Sequence, residues 1–298
     1  MSNHAVDYIT NIADDILKQR PYGGNKHYTK YLKNSNPNTF FTKPTDSKEI
    51  ESIIKLFDSG KGVGPSSIPP KIMNQIAHII SKPIANICNK SFKTGIFPDQ
   101  LKLSKINPIH KKDSKLTISN YRPISLLSNI NKIIEKLMFK RLYSFLELHK
   151  CIYELQFGFR EKHSTDHAIL SITQKIQQAV NENKLVVGIF IDLQKAFDTV
   201  NHAILLKKLN HYGIRGTTNK WFESYLTNRK QYVSINRTDS DKMTTKHGVP
   251  QGSVLGPLLF LIYINDLHQC IHNSDTFHFA DDIPTCSFSL LSLFFFFI

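Results

Sequence analysis

From residue 46 onward, apolar positions fall first into helical spacing and later into strand spacing. Ile50, Ile53, Ile54 and Phe57 recur at helical intervals after Asp46-Ser47-Lys48-Glu49, a capping signal, and predict a helix. Gly60 to Pro70 ends it; its glycines suggest a phosphate loop, but no Gly-Lys-Ser/Thr follows, so a plain turn is predicted. Helical spacing resumes from Ile72 to Phe92, with Pro83 expected to interrupt it. A long amphipathic helix is predicted over Asn129–Glu147, with Ile130, Ile133, Ile134, Leu137 and Met138 on one face. Another runs from Ser164 or Thr165, either of which suits the N-cap, to Val180. At Leu185 the period changes. Leu185 to Ile191 is a continuous β-branched apolar run that predicts a buried strand with Asp192 at its carboxyl end. A helix over Asn201–Asn210, a strand over Tyr232–Ile235 and a turn at Asp239–Asp241 follow. An apolar helix is predicted over Leu258–Leu267, with Pro257 in its first turn, and then a short aromatic strand, Thr276–Ala280, that delivers Asp281-Asp282. The mixed order, without internal repeat, predicts an α/β architecture. Residues 1–45, polar and spaced by Gly23-Gly24, Asn, Pro and Thr, predict a loosely ordered lead-in.

Composition adds little until charge is considered. Apolar residues make up 41% and charged residues 21% of 298, which is ordinary for a globular chain of one large or two modest domains. Thirty-eight Lys and Arg against twenty-four Asp and Glu leave a formal +14. Such a surplus attracts polyanions; it favours phosphate backbones without by itself separating nucleic acid from an anionic membrane. Lys102, Lys105, Lys111, Lys112, Lys115 and Arg122 gather in one stretch, which ends in Tyr121-Arg122-Pro123, where proline favours an extended backbone. The four cysteines are far apart and form no C-x-x-C pair, which argues against a disulfide scaffold or zinc ribbon and fits a reducing compartment. Cys270, His272, His278 and Cys286 match no common zinc spacing. The polar N-terminus is no signal peptide. Phe288–Ile298 is shorter than the ~20 apolar residues that span a bilayer, so the reading is an intracellular protein, nuclear or cytoplasmic, with no membrane partner.

The candidate chemistry lies in Asp192, Asp281 and Asp282. Each follows an apolar strand, and strands from distant sequence that end in acids can bring them together at one sheet edge. Oxygen ligands of this kind suit hard divalent cations, and two ions about 4 Å apart assist in-line phosphoryl transfer. Taken singly, an Asp at a strand end is more often a turn former.

The neighbouring residues are more specific. Ile189-Phe190-Ile191-Asp192-Leu193-Gln194-Lys195-Ala196-Phe197-Asp198-Thr199-Val200 resembles the first palm motif of non-LTR reverse transcriptases. His247-Gly248-Val249-Pro250-Gln251-Gly252-Ser253-Val254-Leu255-Gly256-Pro257 resembles the second, and Phe279-Ala280-Asp281-Asp282 the metal-binding hairpin. Upstream, Asn120-Tyr121-Arg122-Pro123-Ile124-Ser125, and Gln156-Phe157-Gly158-Phe159-Arg160 with His163-Ser164-Thr165, resemble the family's fingers motifs. The resemblance covers roughly Lys48 to Asp282 in the family's order.

It implies the fingers and palm of a right-hand polymerase: lead-in 1–45, fingers 46–183, palm 184–286 and an aberrant apolar tail 287–298. It further implies an RNA-directed DNA polymerase acting on an RNA template, a DNA primer and dNTP, with two Mg²⁺ ions, replaceable by Mn²⁺. Asp192, Asp281 and Asp282 would be the catalytic, metal-binding carboxylates. Phe197 would be the aromatic gate against a 2′-hydroxyl, Gln251 and Gly252 would touch nucleotide and templating base, and Arg122 would grip the triphosphate. Lys111 or Lys112 would assist. Arg160 would either order the fingers or touch template. Asp198 is read as structural or a cap, and His163, Ser164 and Asp166 as helix capping rather than a triad. The family continues into a thumb, whereas this sequence passes from Asp282 through Ile283-Pro284 into its tail. The expectation is therefore weak primer grip, a hairpin lacking its bracing return strand and little processive synthesis. The alternative is a catalytically dead, nucleic-acid-binding relic.

Overall fold

The computed structural model describes residues 2–18, 28–32, 35–58, 60, 64–65, 67–235, 238–271 and 274–290. Gly23-Gly24, the centre of the Gly60–Pro70 turn, Asn236, His272 and the last eight residues of the tail lie outside the described residues.

Helices dominate the first half. α1 (Ser2–Lys18) is followed by α2 (Ser47–Lys55), α3 (Pro70–Gln75) and α4 (Ala77–Thr94). The capping signal works as written, with Asp46 accepting the Glu49 N–H at 2.8 Å. The break expected at Pro83 falls instead at Ile76, between α3 and α4. Pro83 sits on the exposed side of α4, where the carbonyl it leaves unpaired can face water, so the helix continues through it. α4 ends at Gly95, whose φ of 71° is the left-handed cap that glycine adopts without a β-carbon penalty. The expected lead-in is also ordered in part. α1 buries Ala5 and Val6 against Ile106 and Val233, because its apolar stripe, diluted by polar neighbours, has a sheet face to cover.

β1 (Leu103–His110) pairs antiparallel with β2 (Tyr121–Leu126), from Lys105↔Leu126 to His110↔Tyr121. α5 (Asn129–Leu148) and α6 (Thr165–Asn181) follow, each capped by the serine before it, Ser128 and Ser164. Next come β3 (Lys184–Asp192), α7 (His202–His211), α8 (Gly216–Leu226), β4 (Lys230–Ile235), β5 (Thr238–Asp239) and β6 (Met243–Thr244). α9 (Gly256–Ile264), β7 (Ser274–Thr276) and β8 (Asp282–Leu290) complete the described residues. One sheet runs β2-β1-β4-β5 with β6 also on β4; the other runs β3-β8-β7. β1 and β4 are parallel, so a strand from the expected palm span completes the sheet begun in the expected fingers.

The main core lies between α2, α4, α5, α7, α8 and α9. Trp221 stands at its centre, stacked on Tyr225 and edge-on to Phe92 and Phe97, with its indole N–H on Ser91 Oγ at 2.9 Å. β3 departs from expectation. It is an edge strand, and Leu185, Val187, Ile189 and Phe190 are exposed, Phe190 by 84%. A continuous apolar run is buried only where both faces are covered, and here α6 is the helix packed on it. Among the described residues no helix is long and apolar enough to cross a membrane.

Candidate active site

β3 and β8 run antiparallel in register from Lys184↔Leu290 to Asp192↔Asp282. Asp192 and Asp282 are therefore direct cross-strand partners on one face, a relation that puts β-carbons ~5 Å apart. The expected absence of a return strand is corrected here. Asp282–Leu290 is that strand, clamped between β3 and β7, and it takes in the first residues of the supposed aberrant tail. Ile283-Pro284 does not disrupt it. Pro284 accepts the Phe277 N–H through its carbonyl at 2.8 Å and needs no donor of its own.

Asp281 occupies the hairpin turn. Phe279 and Asp282 exchange both N–H···O bonds, at 2.9 and 3.1 Å, leaving Ala280 and Asp281 as the two loop residues. Ala280 has a φ of 59° at the first loop position, the type II′ pattern that glycine usually fills. Asp282 feels the other two acids. Burial first, then the negative charges of Asp281 and Asp192, push the Asp282 carboxyl above its ordinary value, with Lys111 acting in the opposite direction. Of the two candidate lysines, Lys111 is thus the one whose charge reaches Asp282. An acid cluster that repels itself and offers oxygen donors fits hard divalent cations. Among the described residues, however, no group of three or more His, Cys, Asp or Glu converges tightly enough to cage a single ion.

The other predicted residues are tied to one another by backbone bonds. Val249 N–H donates to Phe197 O at 2.9 Å, and Ser125 N–H to Gln251 O at 2.7 Å. The Gln251-Gly252 turn is thereby fixed both to Phe197 and to β2, which carries the exposed Arg122. Gly252 has a φ of 116°, and a β-carbon there would stand 2.8 Å from Ser125 O, so only glycine fits. Phe197 is stacked on Phe260 at 4.9 Å and edge-on to Phe159 at 6.0 Å, which fixes its ring.

Other assignments resolve. Arg160 makes a bidentate pair with Glu147, at 2.9 Å in each bond, and donates to the carbonyls of Tyr153 and Gln156, so it orders its own loop. Ser164 caps α6 through the His167 N–H. Asp198 is half-buried, and desolvation pushes its carboxyl up to about 6 against the pull of Lys195.

Two residues escaped sequence reasoning. Gln156 is buried beside the hairpin, and its amide oxygen accepts the N–H of Ala280 at 3.2 Å. Glu135, 0% exposed, accepts Tyr225 Oη at 2.8 Å and Val254 N–H at 2.6 Å, anchoring the turn that begins α9. Burial raises its carboxyl, opposed chiefly by Arg229. A polar residue in an apolar helical stripe, Asn131-Glu135-Met138-Leu142, was the available signal.

The acids are thus paired across β3 and β8, and the glycine turn is held on the strand that carries Arg122. Residues 109–290 match the family described as reverse transcriptase (RNA-dependent DNA polymerase), and the chain belongs to that family. It is 33% identical over 246 residues to a probable RNA-directed DNA polymerase from transposon BS of Drosophila melanogaster, covering 80% of this chain and 26% of that protein. Identity to the RNA-directed DNA polymerase from mobile element jockey of the same species is 31% over 221 residues, 74% of this chain and 24% of that protein. A probable RNA-directed DNA polymerase from its transposon X-element is 31% identical over 251 residues, 80% and 27% respectively. The chain thus spans about a quarter of the length of the curated relatives it matches.

Proposed function

We propose that this chain carries the nucleotidyl-transfer centre of an RNA-directed DNA polymerase from a non-LTR mobile element, adding dNTP to a DNA primer on an RNA template. The observation that carries the reading is the pairing of Asp192 with Asp282 across β3 and β8, one residue from Asp281. Bound divalent ions, two Mg²⁺ or in their place Mn²⁺, supply charge neutralisation and an acidified primer hydroxyl. Asp192, Asp281 and Asp282 would hold them and in doing so relieve their own repulsion. Arg122 and Lys111, on and beside the β1–β2 hairpin, meet the triphosphate. Gln251 and Gly252 line the nucleotide through a turn whose bare backbone permits close approach. Phe197, wedged between Phe159 and Phe260, has no room to yield and so crowds a ribose 2′-hydroxyl.

Single-nucleotide incorporation onto an RNA-templated primer tests this. Wild type should add a dNTP with Mg²⁺, and Asp281→Ala should lower the rate at least ~10³-fold, the scale of lost electrostatic stabilisation, with RNA affinity unchanged. In the same assay Phe197→Ala should raise ribonucleotide use. Absence of dNTP addition by a folded, RNA-binding wild type would favour the binding relic.

A further inference from the structure

The sharpest bend of the acidic hairpin is held from outside the hairpin. Ala280 has a left-handed φ of 59°, which a β-carbon disfavours. Its N–H leaves the hairpin and donates to Gln156 Oε1 at 3.2 Å; the same oxygen accepts the Gly158 N–H at 2.9 Å. Gln156 is only 2% exposed, so water offers these donors no ready substitute. Flanking bonds run from His278 N–H to Leu155 O at 2.8 Å and from Phe157 N–H to His278 O at 2.7 Å, with Gln156 bridged in parallel to His278. Gly158 lies so close that a β-carbon on it would stand 2.2 Å from the Ala280 nitrogen. Leu155–Gly158 is thus a turn segment bridged to the hairpin through Gln156, ending where the acids begin.

The load on this turn is electrostatic. Asp281 and Asp282 are adjacent, and Asp192 stands opposite, so without a counter-ion the like charges push the turn open. A hairpin free to splay would separate the carboxylates before any cation arrived. We propose that Gln156 is a positioning residue for the metal-binding acids, its amide oxygen fixing Ala280 and so setting where Asp281 and Asp282 present their carboxylates. The proposal rests on the reading of those acids as metal ligands.

Gln156→Met keeps side-chain length and removes the acceptor, whereas Gln156→Glu keeps an oxygen in its place. Binding of Mn²⁺ to the full chain, read from its free-ion electron paramagnetic resonance signal, should weaken at least ~10-fold in Gln156→Met, the usual scale for loss of a residue that orients a metal ligand. Gln156→Glu should restore most of that affinity. Two buried N–H groups left unpaired should lower the melting temperature of Gln156→Met while the melt stays cooperative and RNA binding stays close to wild type, so that the loss of Mn²⁺ is not one of global unfolding. Gln156→Asn withdraws the amide by one methylene and gives the same reading should the methionine variant lose its cooperative melt. Unchanged Mn²⁺ affinity in Gln156→Met, or equal loss in Gln156→Glu, overturns the proposal. If wild type adds dNTPs while Gln156→Met binds Mn²⁺ normally, the brace fails and the polymerase reading stands. If Gln156→Met loses Mn²⁺ affinity but wild type adds no dNTP, the brace stands and the polymerase reading fails. A wild type that binds no Mn²⁺ overturns the brace together with the metal reading beneath it.

Discussion

Between Asp192 and Asp198 the chain carries two carboxylates with opposite surroundings. Asp192 is exposed at the end of β3, while Asp198, just past the Phe197 ring, is pushed up to about 6 by burial. Its folded value lies above its ordinary 3.8, so its neutral form is the one the fold favours. Stability from this group is fully present below about pH 4 and is lost as pH rises through about 6. Asp198→Asn should therefore be more stable than wild type at pH 7.5 by an amount of order 2 kcal/mol, and by little near pH 4. Urea unfolding at the two pH values measures the gap, and a gap independent of pH would contradict the assignment. At this scale, acids and aromatics at strand ends were legible because their neighbours spell a specific pattern. Gln156 and Glu135 were not, because their partners, Ala280 and Val254, are more than a hundred residues away in sequence.

α5 shows how one element serves the site from a distance. Its Glu135 reaches the N-terminal turn of α9, where backbone N–H groups and the helix dipole favour negative charge, and Arg229 supplies the compensating charge. Removing the carboxylate strands Tyr225 Oη, the Val254 N–H and the buried Arg229 together. Glu135→Ala should cost about 3–5 kcal/mol, the scale for breaking a buried charge arrangement, and should lower the melting temperature accordingly. A loss below about 1 kcal/mol, as for a surface ion pair, would show that the network is not the anchor. Helices with strong periodicity and a capping serine or aspartate, α2, α5 and α6, were readable almost to their ends. α1, Pro83 and β3 were misread for a shared reason: each depends on whether another element covers one of its faces, which spacing does not encode.

Over the whole molecule, the predicted site residues are shared between two sheets. The β3-β8-β7 sheet presents Asp192 and Asp282 as neighbours, while β2 of the other sheet carries Arg122 and holds the Gln251-Gly252 turn. The chain's excess of +14 has the sign that attracts a nucleic-acid backbone or a triphosphate. That β1 and β4 share a sheet could not be seen in the order of elements, since parallel pairing joins segments far apart in the chain. The proposed function depends on the segments ending at Asp192 and beginning at Asp282 sharing bound cations. Replacing Mg²⁺ with Fe²⁺ and adding ascorbate generates radicals at the bound ion that cut nearby backbone. Cleavage at two places in the same sample, near residue 192 and near residues 281–282, both suppressed by excess Mg²⁺ and absent in Asp281→Ala, is the predicted result; cleavage at only one of them, or elsewhere, would contradict a shared metal site.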